Sequence, residues 1–160
     1  MIRMLGRAAL LCAGLLLAGC GAGERDADWG VDQHGRPLQA AQLDGRWLVI
    51  NYWAEWCAPC RKEIPELNRL AAGEQVPPLR VLGVNFDGLQ GEALLAASAQ
   101  LGIEFSVLAS DPGPRLGLAP SQVLPVTWLV DPQGRVREQL RGEQSAAGLL
   151  ARLAELSATR

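Results

Sequence analysis

Seven consecutive residues, Trp47-Leu48-Val49-Ile50-Asn51-Tyr52-Trp53, form a nearly unbroken apolar and β-branched run. A strand of that composition suits burial on both faces. The remaining segments supply the covering layers. Cys57 to Leu70 reads as a helix, with Ile64, Leu67 and Leu70 three residues apart along one side. Leu79 to Phe86 is a second buried strand, Glu92 to Leu101 an Ala- and Leu-rich helix, and Phe105 to Leu108 a short strand. A Pro- and Gly-rich loop follows, with a helical turn at Arg115 to Leu118. Val126 to Val130 is a third long strand, Asp131-Pro132-Gln133-Gly134 a turn, and Arg135 to Leu140 an edge strand pairing back. Gln144 to Leu156 is a closing amphipathic helix, and Val31 to Leu43 holds a small hairpin or turn. Strands and helices alternate and the chain ends in a hairpin and a helix. That order predicts an α/β fold, a central mixed β-sheet flanked by helices.

The 160 residues fit one domain, and the first nineteen lie outside it. A basic start (Arg3, Arg7), an apolar stretch from Ala8 to Leu17 and a small-residue end describe a secretory signal. Its apolar stretch is too short to span a bilayer as a mature helix. Leu17-Ala18-Gly19-Cys20 resembles the bacterial lipobox. That resemblance implies that Cys20 becomes a lipidated N-terminus, and several acyl chains anchor stably because each buried methylene adds about 0.8 kcal/mol. The expected organisation is a lipoprotein signal peptide at 1–19, a lipidated tether at 20–28 and the folded domain at 29–160. The eight residues after Cys20 would span roughly 15 Å. The formal charge of −2 becomes −4 once Arg3 and Arg7 are removed. A mildly acidic chain without a basic stripe argues against nucleic acid as a partner.

Four cysteines are present: Cys12, Cys20, Cys57 and Cys60. The first falls in the signal and the second takes lipid, so the folded part keeps one pair at C-x-x-C spacing. Exported proteins normally use cysteines in numbers, as staples. One isolated pair at this spacing is what a redox catalyst needs. The pair also opens a helix, where unpaired N–H groups and the helix dipole stabilise a thiolate. Such placement brings thiol pKa values down to about 3.5–7.5. Arg61 and Lys62 add positive charge nearby. Cys57 is then expected to attack a disulfide, and the more buried Cys60 to resolve the mixed disulfide. A structural zinc site needs four ligands, whereas the folded part offers two cysteines and His34. Haem attachment needs C-x-x-C-H, and Arg61 stands where the histidine would be. A structural disulfide closing so small a loop would add little stability.

The stretch Trp53-Ala54-Glu55-Trp56-Cys57-Ala58-Pro59-Cys60 looks like the thioredoxin active site. With Arg61-Lys62-Glu63-Ile64-Pro65, the lipoprotein signal and Leu124-Pro125-Val126-Thr127-Trp128-Leu129-Val130-Asp131, the chain resembles the TlpA/ResA-like family of periplasmic thiol–disulfide reductases. The resemblance runs from about Val31 to Leu156. It implies a thioredoxin-like fold with an extra strand–helix segment, matched by Leu79 to Leu108. It implies that Pro125 is cis and lies against the cysteines. Proline lacks an N–H, and the backbone of Leu124 is left to pair with an extended substrate. The family usually has Thr after this proline; Val126 stands here. Glu63 falls on the helix face of Cys60 and matches the acid that manages protons at the cysteines. Thioredoxins place a buried aspartate where this chain has Asn51, which is expected to satisfy backbone groups under the helix. Trp56, with Ala58 and Pro59, is expected to contact substrate, while Trp53 packs in the core.

The residues inside the motif, Ala58 and Pro59, are neutral, which favours a reducing couple over a strong oxidant. No cofactor is expected beyond the redox-active Cys57–Cys60 disulfide, and no metal. The resemblance implies protein disulfides as substrates, cytochrome c or oxidase maturation as a setting, and a membrane thiol transporter of the DsbD/CcdA type as electron donor. It also implies a monomer anchored on the periplasmic side of a bacterial membrane, inner or outer. Two other readings compete. One is an oxidase or isomerase, although no dimerisation segment is visible. The other is a non-enzymatic copper-handling module, which would use wider cysteine spacing and a companion histidine. A peroxidase of the peroxiredoxin type would place Thr or Ser three residues before its cysteine, where Ala54 stands.

Overall fold

The computed structural model describes residues 29–159. The expected signal peptide, the tether and Cys20 lie outside the described residues. Among the described residues, no helix is long and apolar enough to cross a membrane.

The sheet is built outward from β1 (Trp47–Trp53), in which all seven residues are buried. β2 (Leu79–Asn85) lies parallel to it on one side, with Trp47 opposite Leu79 and Trp53 opposite Asn85. β3 (Ser106–Leu108) extends that side, parallel to β2. On the other side β4 (Val126–Val130) runs antiparallel to β1, and β5 (Val136–Arg141) antiparallel to β4. The strand order is therefore β3-β2-β1-β4-β5, with mixed directions as expected. Among the described residues four α-helices join the sheet: α1 (Ala58–Ala72), α2 (Gly91–Gln100), the one-turn α3 (Gly113–Leu116) and α4 (Ala146–Ala158).

The alternation of side chains along β1 divides the core in two. Trp47, Val49 and Trp53 pack with Ile64, Leu67 and Leu70 of α1, Leu94 and Ala97 of α2, and Leu149 and Leu153 of α4. Leu48, Ile50 and Tyr52 face the other way, onto Leu82, Val84, Val126, Trp128 and Val130. That second face is covered by irregular chain and the short α3, through Leu38 and Leu43 and the half-buried Leu116 and Leu118. Helices thus crowd one face, while the opposite face is closed mainly by loops. On the helical side the packing against Gly83 is tight. A Cβ there would meet Phe105, Val107 and the Trp53 indole at 3.0–3.1 Å, so any side chain would push these neighbours back by a few tenths of an ångström.

Both edges of the sheet are modified. Beyond β3, Asp32 bridges Leu108, and the Ala109 N–H donates to the Val31 carbonyl. At the other edge, the β4–β5 register shifts between Leu129 and Val130. Two turns share one construction. Asp32 accepts N–H bonds from His34 and Arg36 and pairs with the Arg36 guanidinium, and Asp131 does the same with Gln133, Arg135 and the Arg135 guanidinium. Burial alone would raise the Asp131 carboxyl, but these bonds hold it below its ordinary value. The hairpin expected at Val31 to Leu43 is thus a tight turn closed by a Val31–Pro37 bridge, followed by a 3₁₀ turn at Ala40–Gln42.

Candidate active site

β1 ends at Trp53, and four residues later the chain enters α1 with Cys57 as its N-cap. The Cys57 sulfur accepts the Cys60 N–H at 3.2 Å, one of the bonds that α1 leaves unmade at its start. Pro59 occupies the first turn, where a missing N–H costs nothing. Cys57 and Cys60 are joined as a disulfide with Cα atoms 5.3 Å apart, and both are buried, Cys57 at 3% exposure and Cys60 fully. The sheet and α1 therefore deliver the pair to the positive end of a fifteen-residue helix. The two cations expected to help are engaged elsewhere. Arg61 donates to the Glu55 carbonyl, and Lys62 pairs with Glu143 at 3.5 Å.

Beside the disulfide, Trp56 is the most open large side chain of the site, 63% exposed. Its indole N–H donates to Asp87 at 2.9 Å, and Phe86 meets its ring edge-on at 6.2 Å. The Leu124–Pro125 peptide is cis. Pro125 passes its carbonyl to the Gly142 N–H, and Val126 directly after it is fully buried at the start of β4. Trp53 is core, as expected, with no exposed surface.

One turn into α1 from Cys60, Glu63 is 1% exposed. Its Oε1 accepts from the Asn51 amide and its Oε2 from the Gln144 N–H at 2.9 Å. Burial pushes its carboxyl up to about 7; the bonds from Gln144 and Asn51 pull the other way, and the nearby Glu143 carboxylate adds to the rise. Asn51 differs from expectation. It does not serve backbone groups under the helix but reaches two side chains, Glu63 and Thr127, the latter at 3.0 Å. The cause is register: Asn51 on β1 lies directly opposite Thr127 on β4, and both face α1. The Asn51 Oδ1 finds no partner among the described residues. An amide that donates one N–H to a carboxylate and the other to a hydroxyl favours the charged form of that carboxylate.

The sequence reading placed Cys57, Cys60 and Glu63 together, and the fold sets them at the N-cap and along the first two turns of α1. It missed Asn51 as a partner of Glu63, and missed Gln144, 81 residues away. It also missed Asp87, the acceptor that steadies Trp56.

Sheet order, flanking helices and a dithiol heading the helix after the central strand define a thioredoxin-like fold. The chain belongs to the AhpC/TSA family, whose model matches residues 24–139. It is 32% identical over 123 residues to the thiol-disulfide oxidoreductase ResA of Bacillus thuringiensis (strain Al Hakam), an alignment covering 72% of this chain and 66% of that one. It is 34% identical over 108 residues to the thiol:disulfide interchange protein HelX of Rhodobacter capsulatus, covering 66% of this chain and 58% of HelX. The chain thus spans just under two thirds of the curated relatives it matches. The crystal structure of a putative thiol:disulfide interchange protein DsbE from Chlorobium tepidum superposes with a TM-score of 0.60 at 28% identity, over 85% of this chain and 96% of that one.

Proposed function

We propose that this chain is a protein-disulfide reductase working through Cys57 and Cys60. The carrying observation is the placement of the Cys57 sulfur as the N-cap of α1, accepting the Cys60 N–H. In the reduced protein that position favours a thiolate on Cys57. The thiolate attacks one sulfur of a substrate disulfide, forming a Cys57–substrate bond and releasing the other substrate sulfur as a thiolate, which takes up a proton. Cys60 then loses its proton and attacks Cys57. This breaks the mixed disulfide, frees the second substrate thiol and leaves the Cys57–Cys60 disulfide. Two electrons pass to the substrate per cycle, and an external dithiol must restore them. In this reading Glu63 holds the proton that Cys60 gives up; its burial one turn along α1 from Cys60, with its carboxyl pushed up to about 7, supports that role.

The ResA and HelX names describe oxidoreductase or interchange chemistry, which supports the reading. The neutral Ala58 and Pro59 between the sulfurs support a reducing couple. Trp56 and the backbone of Leu124 beside the cis Pro125 form the surface that receives substrate. The substrates are disulfides of exported proteins, with cytochrome c or oxidase maturation as the setting. The Leu-Ala-Gly-Cys signal supports lipid attachment at Cys20 on the periplasmic side of a bacterial membrane. A thiol transporter of the DsbD/CcdA type is the proposed electron source.

Two variants test the assignment. Cys57→Ser abolishes reduction of protein disulfides, and Cys60→Ser accumulates a covalent adduct with substrate that thiol reagents release. A Cys57→Ser protein that still reduces insulin overturns the reading.

A further inference from the structure

Three polar side chains meet between the sheet and α1: Asn51 of β1, Thr127 of β4 and Glu63 of α1, none more than 1% exposed. Their hydrogen bonds do not balance. Asn51 Nδ2 donates both to Glu63 Oε1 and to Thr127 Oγ1. Asn51 Oδ1, equally buried, has no partner among the described residues. Leaving a buried acceptor unpaired costs about 1–3 kcal/mol, and native structures rarely do so without reason.

The two protonation states of Glu63 supply a reason. The observed arrangement suits a carboxylate, because an amide N–H points at it. A protonated Glu63 needs the opposite, an acceptor for its O–H. Oε2 is a poor seat for that proton, since its partner is the Gln144 backbone N–H at 2.9 Å, which can donate but not accept. Oε1 faces the Asn51 amide, whose oxygen is unclaimed. Turning that amide end for end exchanges Nδ2 for Oδ1 with little change of shape. Oδ1 then accepts the Glu63 O–H and the Thr127 hydroxyl, a group able to donate as well as accept. Nδ2 takes over the unpaired place. Each orientation thus leaves one amide atom unmet, and neither state of Glu63 is heavily favoured. The carboxyl, pushed up to about 7, visits both states near neutrality. β1 and β4 face it with the neutral Asn51 and Thr127. From the chain entering α4, Glu143 acts on it as a like charge and is itself paired with Lys62. Along α1 its ionisable neighbours are Cys60 and Glu66, whose carboxylate takes the Ala146 N–H.

We propose that Asn51 is a positioning residue for the proton exchanged between Cys60 and Glu63, a two-way amide that turns as the proton moves. The proposal rests on the dithiol reading and adds how Glu63 holds the proton in a dry site. In the resolving step the Cys60 thiol loses its proton and Glu63 Oε1 gains it. The electron pair left on the Cys60 sulfur forms the bond to Cys57 as the bond from Cys57 to the substrate breaks. Asn51 presents Oδ1 while Glu63 carries the proton. It turns back when the dithiol is regenerated and the proton returns to Cys60.

Neutron diffraction from deuterated crystals of the oxidised protein at pH 5 and pH 9 reads the amide directly. At pH 9 the Nδ2 deuterons should face Glu63 and Thr127. At pH 5 a deuteron should sit on Glu63 Oε1, with Oδ1 facing it. An amide oriented alike at both pH values, or a Glu63 without a deuteron at pH 5, overturns the proposal. In solution, Asn51→Leu fills the space and removes both donor and acceptor. Single-turnover kinetics should show release of the second substrate thiol slowed about tenfold relative to formation of the mixed disulfide, the scale of one hydrogen bond. Equal slowing of the two steps, or of neither, overturns it as well. If the variant does not fold, the diffraction result on the parent decides. Insulin reduction by the parent keeps the two readings apart: a fixed amide in a protein that reduces insulin removes this proposal alone, whereas a parent that fails to reduce insulin removes the dithiol chemistry beneath it.

Discussion

Glu63 is the residue at which stability and chemistry meet. In the fold its carboxyl keeps a proton to about pH 7 because burial penalises the charge, whereas an unfolded glutamate releases it near 4.5. Between those values the folded state binds more protons than the unfolded one, so stability falls as pH rises and levels off above 7. The full swing is about 3 kcal/mol. Glu63→Gln should remove it: urea denaturation at pH 8 should show the variant more stable than the parent, with the two alike at pH 4. A parent whose stability is flat between pH 4 and 8 would contradict the assignment. The same substitution should move the pH dependence of disulfide reduction, measured from pH 5 to 9. Glu63 itself was readable from its three-residue spacing to Cys60. Its partners were not, because Asn51 reaches it only through a strand register and Gln144 only through the docking of the last helix.

At the scale of elements, two helix starts converge. α1 begins on the dithiol, and the chain entering α4 is held by carboxylates of α1. Glu63 takes the Gln144 N–H and Glu66 the Ala146 N–H, while Ser145 caps α4 through the Gly148 N–H. Ser145→Ala should cost about 1 kcal/mol of stability. By loosening the Gln144 N–H it should also push the Glu63 titration upward, which NMR of the carboxyl carbon would follow; an unchanged titration would mean that the cap and the acid are independent. This convergence explains where the sequence reading drifted. Apolar periodicity started the last helix at Gln144, but Gln144 and Ser145 are spent on contacts that precede α4. β5 likewise begins at Val136 because Arg135 is taken by the Asp131 turn. β1 and β4, set by continuous apolar runs, have the expected bounds.

For the molecule as a whole, the proposed lipid at Cys20 would decide where the dithiol works. Cys20→Ser should release the protein from the membrane fraction into the soluble one, with insulin reduction by the purified domain unaltered; retention in the membrane fraction would remove the anchor from the account. A protein held at a surface meets its own copies at high local density, and the sheet margins then matter. β3 is three residues long and already bridged by Asp32. β5 carries Arg137, Glu138 and Arg141 behind a register break. Short or charged margins are poor templates for another strand. Neighbours crowded by such an anchor would therefore have little to zip onto, and a surface layer of the protein should stay fluid rather than condense into fibres.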